Sequence, residues 1–271
     1  MSTTAKPDPR LGRERDFHNQ WARSIGLDDL LVRESFEAPT AIENRYALSE
    51  FGDLKGKKLL DLGCGAGETS VYFALRGAEV YACDLGEEFL ELARSLADKF
   101  DVKLQLAQVD ARSLPYESDC FDFVFGNGIL HHVELVPAAK EIRRVLKSGG
   151  KAVFVEPLPY NPLINVYRAM AKGVRTEDER PLRFRDLNRM KLLFASFHHR
   201  EFWLFTLSIF LHFFFVKRWH PSQVRYWKKV IEVGESYKRV FGVLERLDEF
   251  FLRWVPFLNF LCWNTVVVVR K

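Results

Sequence analysis

Three glycines alternate with small residues directly after an acid: Asp61, Gly63, Cys64, Gly65 and Gly67 fall within LLDLGCGAGETS at 59–70. A loop without side chains lets a ligand approach backbone N–H groups closely. The spacing is not the G-x-G-x-x-G of a dinucleotide loop, and no Gly-Lys-Ser/Thr follows as in a P-loop. A second acid, Asp84, closes the next apolar segment, the position from which ribose hydroxyls are held. A third, Asp110, precedes Ala111 and is a candidate partner for an adenine amino group. Asp61, at the mouth of the loop, can counter a cationic ligand without meeting a phosphate. Together these groups suit a nucleoside carrying positive charge rather than a pyrophosphate.

The elements that position them follow from the apolar pattern. KKLLDLG, AEVYACDL, VKLQLAQVDA, FDFVFGNGIL and KAVFVEP read as buried strands. TSVYFALRG and GEEFLELARSLADKF read as helices between them, the second with Glu87 and Glu88 in its first turn, where the helix dipole favours acids. PAAKEIRRVLKSGG reads as a helix closed by two glycines, and NPLINVYRAMAKGVR as a further helix. FHHREFWLF at 197–205 and CWNTVVVVRK at 262–271 complete seven strands. Alternating strands and helices predict an α/β fold: a doubly wound, mostly parallel sheet with helices on both faces. Ligands of such sheets bind at the strand carboxyl ends, where Asp61, Asp84, Asp110, Asn127 and Glu156 all fall.

LLDLGCGAG, VYACDL, VDARSLPY and FDFVFGNGILHHV, followed by EIRRVLKSGGKAVFVEP, resemble in order and spacing the motifs of class I S-adenosylmethionine-dependent methyltransferases, in their small-molecule, type 11-like branch. The resemblance covers about residues 45–157, with a last strand at 262–269, and says little about the substrate. It implies a Rossmann-like fold and S-adenosyl-L-methionine as cofactor. Gly63, Gly65 and Gly67 would line its methionine and ribose, Asp84 would hold the ribose, Asp110 and Ala111 the adenine, and Asn127 would lie under the sulfonium. Cys64 and Leu85 belong to the same cofactor-binding set.

Methyl transfer requires alignment, exclusion of water and, for some acceptors, removal of a proton. His131 and His132 after the fourth strand are candidate bases, with a backbone contact or helix cap as the alternative role. Glu156 is a candidate for orienting an acceptor amine or hydroxyl, or a charge satisfied by neighbouring N–H groups. Phe17, His18, Trp21, Tyr46 and Tyr160 are candidates for closing over the substrate. The adjacent histidines His198 and His199 point to opposite faces of a strand and do not chelate one ion. No metal site is expected.

Between the last two strands the chain departs from the α/β rhythm. FWLFTLSIFLHFFFV at 202–216 is apolar on nearly every side. Val224, Trp227, Ile231, Gly234, Tyr237, Phe241, Leu244, Leu247 and Phe251 mark one face of a long helix, and Arg225, Lys228, Lys229, Lys238, Arg239 and Arg246 its other side. Three readings fit: an interfacial membrane anchor with a lipophilic acceptor, an aromatic lid over a soluble metabolite, or a face that covers the core or a dimer partner. Neither this run nor FLRWVPFLNFLCWNTVVVV at 251–269, interrupted by Arg253 and Pro256, is expected to span a bilayer. The expected organisation is an N-terminal segment and helical cap at 1–44, a methyltransferase core at 45–204, the insertion at 205–255 and a terminal strand at 256–271.

Composition narrows the alternatives. A net charge of +4 is too mild to argue for nucleic acid, and neither an Asp/Asn-Pro-Pro-aromatic nor a Pro-Cys motif supports a nucleic-acid methyltransferase. A cofactor-binding module without turnover is the remaining alternative. The four cysteines form no CxxC pair, and the polar N-terminus does not read as a signal peptide, so a reducing, cytoplasmic setting is expected, free or peripheral at the membrane. The oligomeric state is not legible.

Overall fold

A computed structural model describes residues 12, 16, 19–171 and 180–271. Phe17 and His18 lie outside these residues, as do 172–179, where the helix expected from Asn161 was to end. The sheet comprises β1 (Lys58–Leu62), β2 (Glu79–Asp84), β3 (Leu104–Gln108), β4 (Phe121–Asn127), β5 (Leu146–Pro157), β6 (Ser196–Phe202) and β7 (Asn264–Arg270). Their order is β3-β2-β1-β4-β5-β7-β6. β1 to β5 run parallel, while β7 is antiparallel to both β5 and β6. The longer helices among the described residues are α1 (Ile42–Phe51), α2 (Glu68–Leu75), α3 (Glu87–Lys99), α4 (Leu135–Val145), α5 (Pro162–Met170), α6 (Phe184–Lys191), α7 (Ser208–Phe215), α8 (Tyr226–Glu232) and α9 (Gly234–Trp254).

Period-two alternation sends neighbouring strand residues to opposite faces. Leu59 enters a core with Phe36, Phe51 and Phe73, whereas Leu60 joins Ile142, Leu187 and Phe194 on the other side. Burial of both faces explains why β1 and β7 read as continuous apolar runs. At the entry to α5, Asn161 accepts hydrogen bonds from the amides of Leu163 (2.8 Å) and Ile164 (3.2 Å), with Pro162 at the first helical position.

Three expectations are corrected. The helix expected at 137–150 ends at Val145, and Leu146 already starts the 12-residue β5. The sixth strand stops at Phe202, before Trp203 with its φ of +70°. The single long helix is two, α8 and α9, parted at Gly234, where a Cβ would lie 2.7 Å from Thr40 Oγ1. The Thr40 hydroxyl in turn donates to the carbonyl of Val230 at 2.8 Å. This close approach, a long-range contact, sets the break.

The Phe-rich run is also less uniform than its composition suggests. Ile209, Phe210 and Phe213 are buried beside Trp203, Tyr226 and Tyr167, while Leu211, Phe215 and Val216 face outward. The buried Asp248 of α9 accepts from the amides of Phe205 (2.5 Å) and Leu204 (3.2 Å) and from the Thr206 hydroxyl (2.6 Å), fastening α9 to the start of that run.

Candidate functional site

The carboxyl ends of β1, β2, β4 and β5 open into a cavity of about 490 Å³. Gly63, Cys64 and Gly65 form part of its wall, held by bonds from the Gly63 and Cys64 amides to the carbonyl of Cys83 (2.8 and 3.0 Å). Gly65, at φ +52°, has nothing within 4 Å of where a Cβ would stand. The backbone there is bare toward the cavity, the cradle that a closely bound ligand needs. Gly67 serves a different purpose. At φ +87° it lies against α3, and a Cβ would come within 2.7 Å of Ala93 Cβ.

Asp84 lines the cavity at the end of β2. Its Oδ2 accepts from the Gly65 amide and its Oδ1 from the Gly86 amide, each at 2.9 Å. Each carboxylate oxygen keeps a second lone pair for a ligand hydroxyl. Leu85, Asp110, Ala111 and Asn127 continue this wall. Burial works to raise the pKa of Asp110, but hydrogen bonds and charge from Arg112 (2.7 Å at the closest) outweigh it and hold the acid low.

Asp61 does not reach the cavity wall. It is buried beneath the loop, with Oδ2 accepting from the hydroxyls of Thr69 and Ser70 at 2.5 Å each. Burial pushes its pKa up to about 6 despite those bonds. Asp61 thus braces the loop from below.

His131, His132 and Glu156 all line the cavity. Glu156 is fully buried; its Oε1 accepts from the amides of Ile129 (3.0 Å) and Leu130 (2.7 Å), and its Oε2 lies 2.8 Å from His131 Nδ1. The acid thus fixes both the turn after β4 and the imidazole. Trp21 also lines the cavity, packing edge-on against Phe89. Tyr46 and Tyr160 do not: Tyr46 packs on Phe202 beneath Arg200, and Tyr160 stacks on Phe184.

Beyond the motif residues, further side chains line the cavity. Glu43, in the first turn of α1, accepts from Trp203 Nε1 (2.8 Å) and Asn264 Nδ2 (3.0 Å), and burial raises its pKa. Trp203, Trp263, Tyr167, Trp227 and Ile231 supply an apolar and aromatic lining. Arg225 and Lys228, expected on the outer basic side of the insertion, line this cavity instead. Only an assembled fold brings the start of α1, the start of β7 and α8 together, so no local signal could have found them.

Among known proteins, a methyltransferase domain family matches residues 60–154. The chain is 33% identical over 162 residues to a demethylmenaquinone methyltransferase of Staphylococcus aureus, covering 58% of this chain and 64% of that protein. It is 38% identical over 112 residues to the enzyme of the same name from Clavibacter sepedonicus, covering 40% of this chain and 45% of that protein. The chain thus spans about half the length of the curated relatives it matches. Geranyl diphosphate C-methyltransferase of Streptomyces coelicolor shares the fold with a TM-score of 0.63 at 13% identity, over 98% of this chain and 100% of that one. Phosphoethanolamine N-methyltransferase 2 of Haemonchus contortus does so with a TM-score of 0.58 at 18% identity, over 95% and 59%.

Proposed function

We propose that this chain, whose residues 60–154 match a methyltransferase domain family, transfers a methyl group from S-adenosylmethionine to a small, lipophilic acceptor at a membrane surface. The observation that carries the first part is the bare Gly65 backbone bonded to Asp84 at the rim of one cavity. The residues that line the cavity fit the cofactor: Gly63, Cys64 and Gly65 would hold its methionine, Asp84 its ribose, Leu85, Asp110 and Ala111 its adenine, and Asn127 would lie near its sulfur. When bound, it supplies an electrophilic methyl carbon on a sulfonium.

This chain's own residues do the rest. The aromatic lining of Trp203, Trp263 and Trp227 takes an apolar acceptor body and excludes water. Alignment of the acceptor atom with the methyl carbon lowers the barrier most, because the displacement is in line. Where the acceptor atom carries a proton, His131 accepts it, its ring oriented by Glu156. The acceptor atom would gain the methyl carbon that the bound cofactor supplies, leaving a neutral thioether as the departing group.

A row of apolar side chains along α9 supports the membrane part. Val240, Val243, Leu247, Phe250 and Trp254 are each 40–65% exposed, and Phe257 and Phe260 continue them beyond the helix. Spacings of three and four place the five on one helical strip, and Arg239, Arg246 and Arg253, at intervals of seven, form the adjoining row. An apolar strip edged by arginines suits an interface with anionic headgroups. No helix among the described residues is long and apolar enough to cross a membrane. Co-sedimentation with vesicles containing phosphatidylglycerol tests this part. Binding that falls as salt rises supports it; protein remaining in the supernatant at low salt overturns it.

A further inference from the structure

Among the residues lining the cavity, Arg225 and Lys228 stand out because neither cation forms an ion pair with a carboxylate of the described residues. Arg225 lies just before α8, with its guanidinium 4.1 Å above the ring of Trp21. Among the described residues no acid forms an ion pair with it, and burial lowers its pKa. Lys228, one turn further on, also faces the cavity. The carboxylate of Glu68 exerts an electrostatic pull on it but is not bonded to it; Glu68 instead accepts from the amide of Leu31 at 3.0 Å. Lys229, the next residue along α8, is by contrast paired with Glu232 at 2.7 Å.

A partly buried guanidinium loses hydration, and stacking on an indole returns only part of it. Two such cations facing one cavity favour an anionic group there, since guanidinium matches carboxylate and phosphate geometry. We propose that Arg225 and Lys228 form an anion-binding pole of the cavity, taking a carboxylate or phosphate group of a bound ligand.

The inference rests on the reading of this cavity as a cofactor and acceptor site. Two ligands can supply the anion: the amino-acid carboxylate of the cofactor, or an acidic group on the acceptor. In the second case the acceptor is an amphiphile, with its acid at Arg225 and Lys228 and its apolar body along Trp227 and Ile231.

Calorimetry with the whole chain separates these sources. The probes are S-adenosylhomocysteine, 5′-methylthioadenosine, which lacks the carboxylate, and decanoate added with S-adenosylhomocysteine present. The variant is Arg225→Gln with Lys228→Gln. A loss of at least about 10-fold in S-adenosylhomocysteine affinity, with 5′-methylthioadenosine unchanged, assigns the pole to the cofactor. A similar loss for decanoate, with S-adenosylhomocysteine unchanged, assigns it to the acceptor. Wild-type affinities for all three in a variant of unchanged melting temperature overturn the proposal. Should the double variant melt early, Lys228→Gln alone is measured, with about a threefold loss expected and no loss overturning the proposal. Failure of the wild-type chain to bind S-adenosylhomocysteine would instead sink the reading of the cavity; decanoate binding without it still tests the pole.

Discussion

Glu156 Oε2 lies 2.8 Å from His131 Nδ1, while the other oxygen of the same carboxylate accepts from two backbone amides of the turn after β4. One fully buried acid therefore sets both a loop and the imidazole at the cavity wall. Removing it leaves two amides and a histidine nitrogen without their partner. We expect Glu156→Ala to cost about 3 kcal/mol of stability, measured by urea unfolding. His132→Ala, which leaves the Glu156 bonds intact, should cost less than about 1 kcal/mol.

The glycines of the loop divide by role. Gly67→Ala places a Cβ 2.7 Å from Ala93 at φ +87° and should destabilise the chain by about 2–4 kcal/mol. Gly65→Ala meets nothing within 4 Å, so about 1 kcal/mol is expected from its left-handed backbone. Its main effect should be on ligand affinity, because the methyl group would occupy the cradle. Thermal melts with and without S-adenosylhomocysteine distinguish the two: Gly65→Ala should lose the ligand-induced rise in melting temperature.

Asp61 predicts a pH dependence. Its folded-state pKa, pushed up to about 6 by burial, lies above the ordinary value of 3.8. Protonation in the folded state therefore adds stability that is complete below about pH 3.8 and is lost as pH rises through about 6. Relative to Asp61→Asn, the wild-type chain should gain stability as pH falls from 7 to 4, by about 3 kcal/mol at most. Paired unfolding curves of the two proteins cancel the other carboxylates. A difference that shrinks on acidification would contradict the buried, hydroxyl-bonded acid seen here.

The α9 strip gives a surface prediction. Phe250→Glu with Trp254→Glu changes two outward residues that touch neither the cavity nor the sheet core. Vesicle binding should fall at least about 10-fold, while the melting temperature stays within about 2 °C. Equal vesicle binding by wild type and variant would remove α9 from the membrane account.

Sequence made the strand-and-glycine frame legible because its signals are local. β1, β2, β4 and β5 are short apolar runs ending at Asp61 or Leu62, Asp84, Asn127 and Glu156, and each acid or amide marks a strand's carboxyl end. The β3-β2-β1-β4-β5-β7-β6 order agrees with the resemblance read from those motifs. What sequence could not convey was depth. Asp61 and Asp84 look alike in the chain, yet one is sealed under the loop and the other opens to the cavity. Arg225 and Lys229 look alike on a helical wheel, yet one lines the cavity and the other pairs with Glu232. Glu43 had no motif at all, because its partners Trp203 and Asn264 arrive from distant segments.

The most direct test of the central claim is methyl transfer itself. Purified protein is incubated with S-adenosylmethionine labelled in its methyl group and a total lipid extract, then partitioned between organic and aqueous phases. The account predicts label in the organic phase, lost with Asp84→Ala because the Gly65 and Gly86 amides lose their common acceptor. Label confined to aqueous metabolites would contradict a lipophilic acceptor, and no label in either phase, with S-adenosylhomocysteine binding intact, would contradict methyl transfer to any compound in the extract.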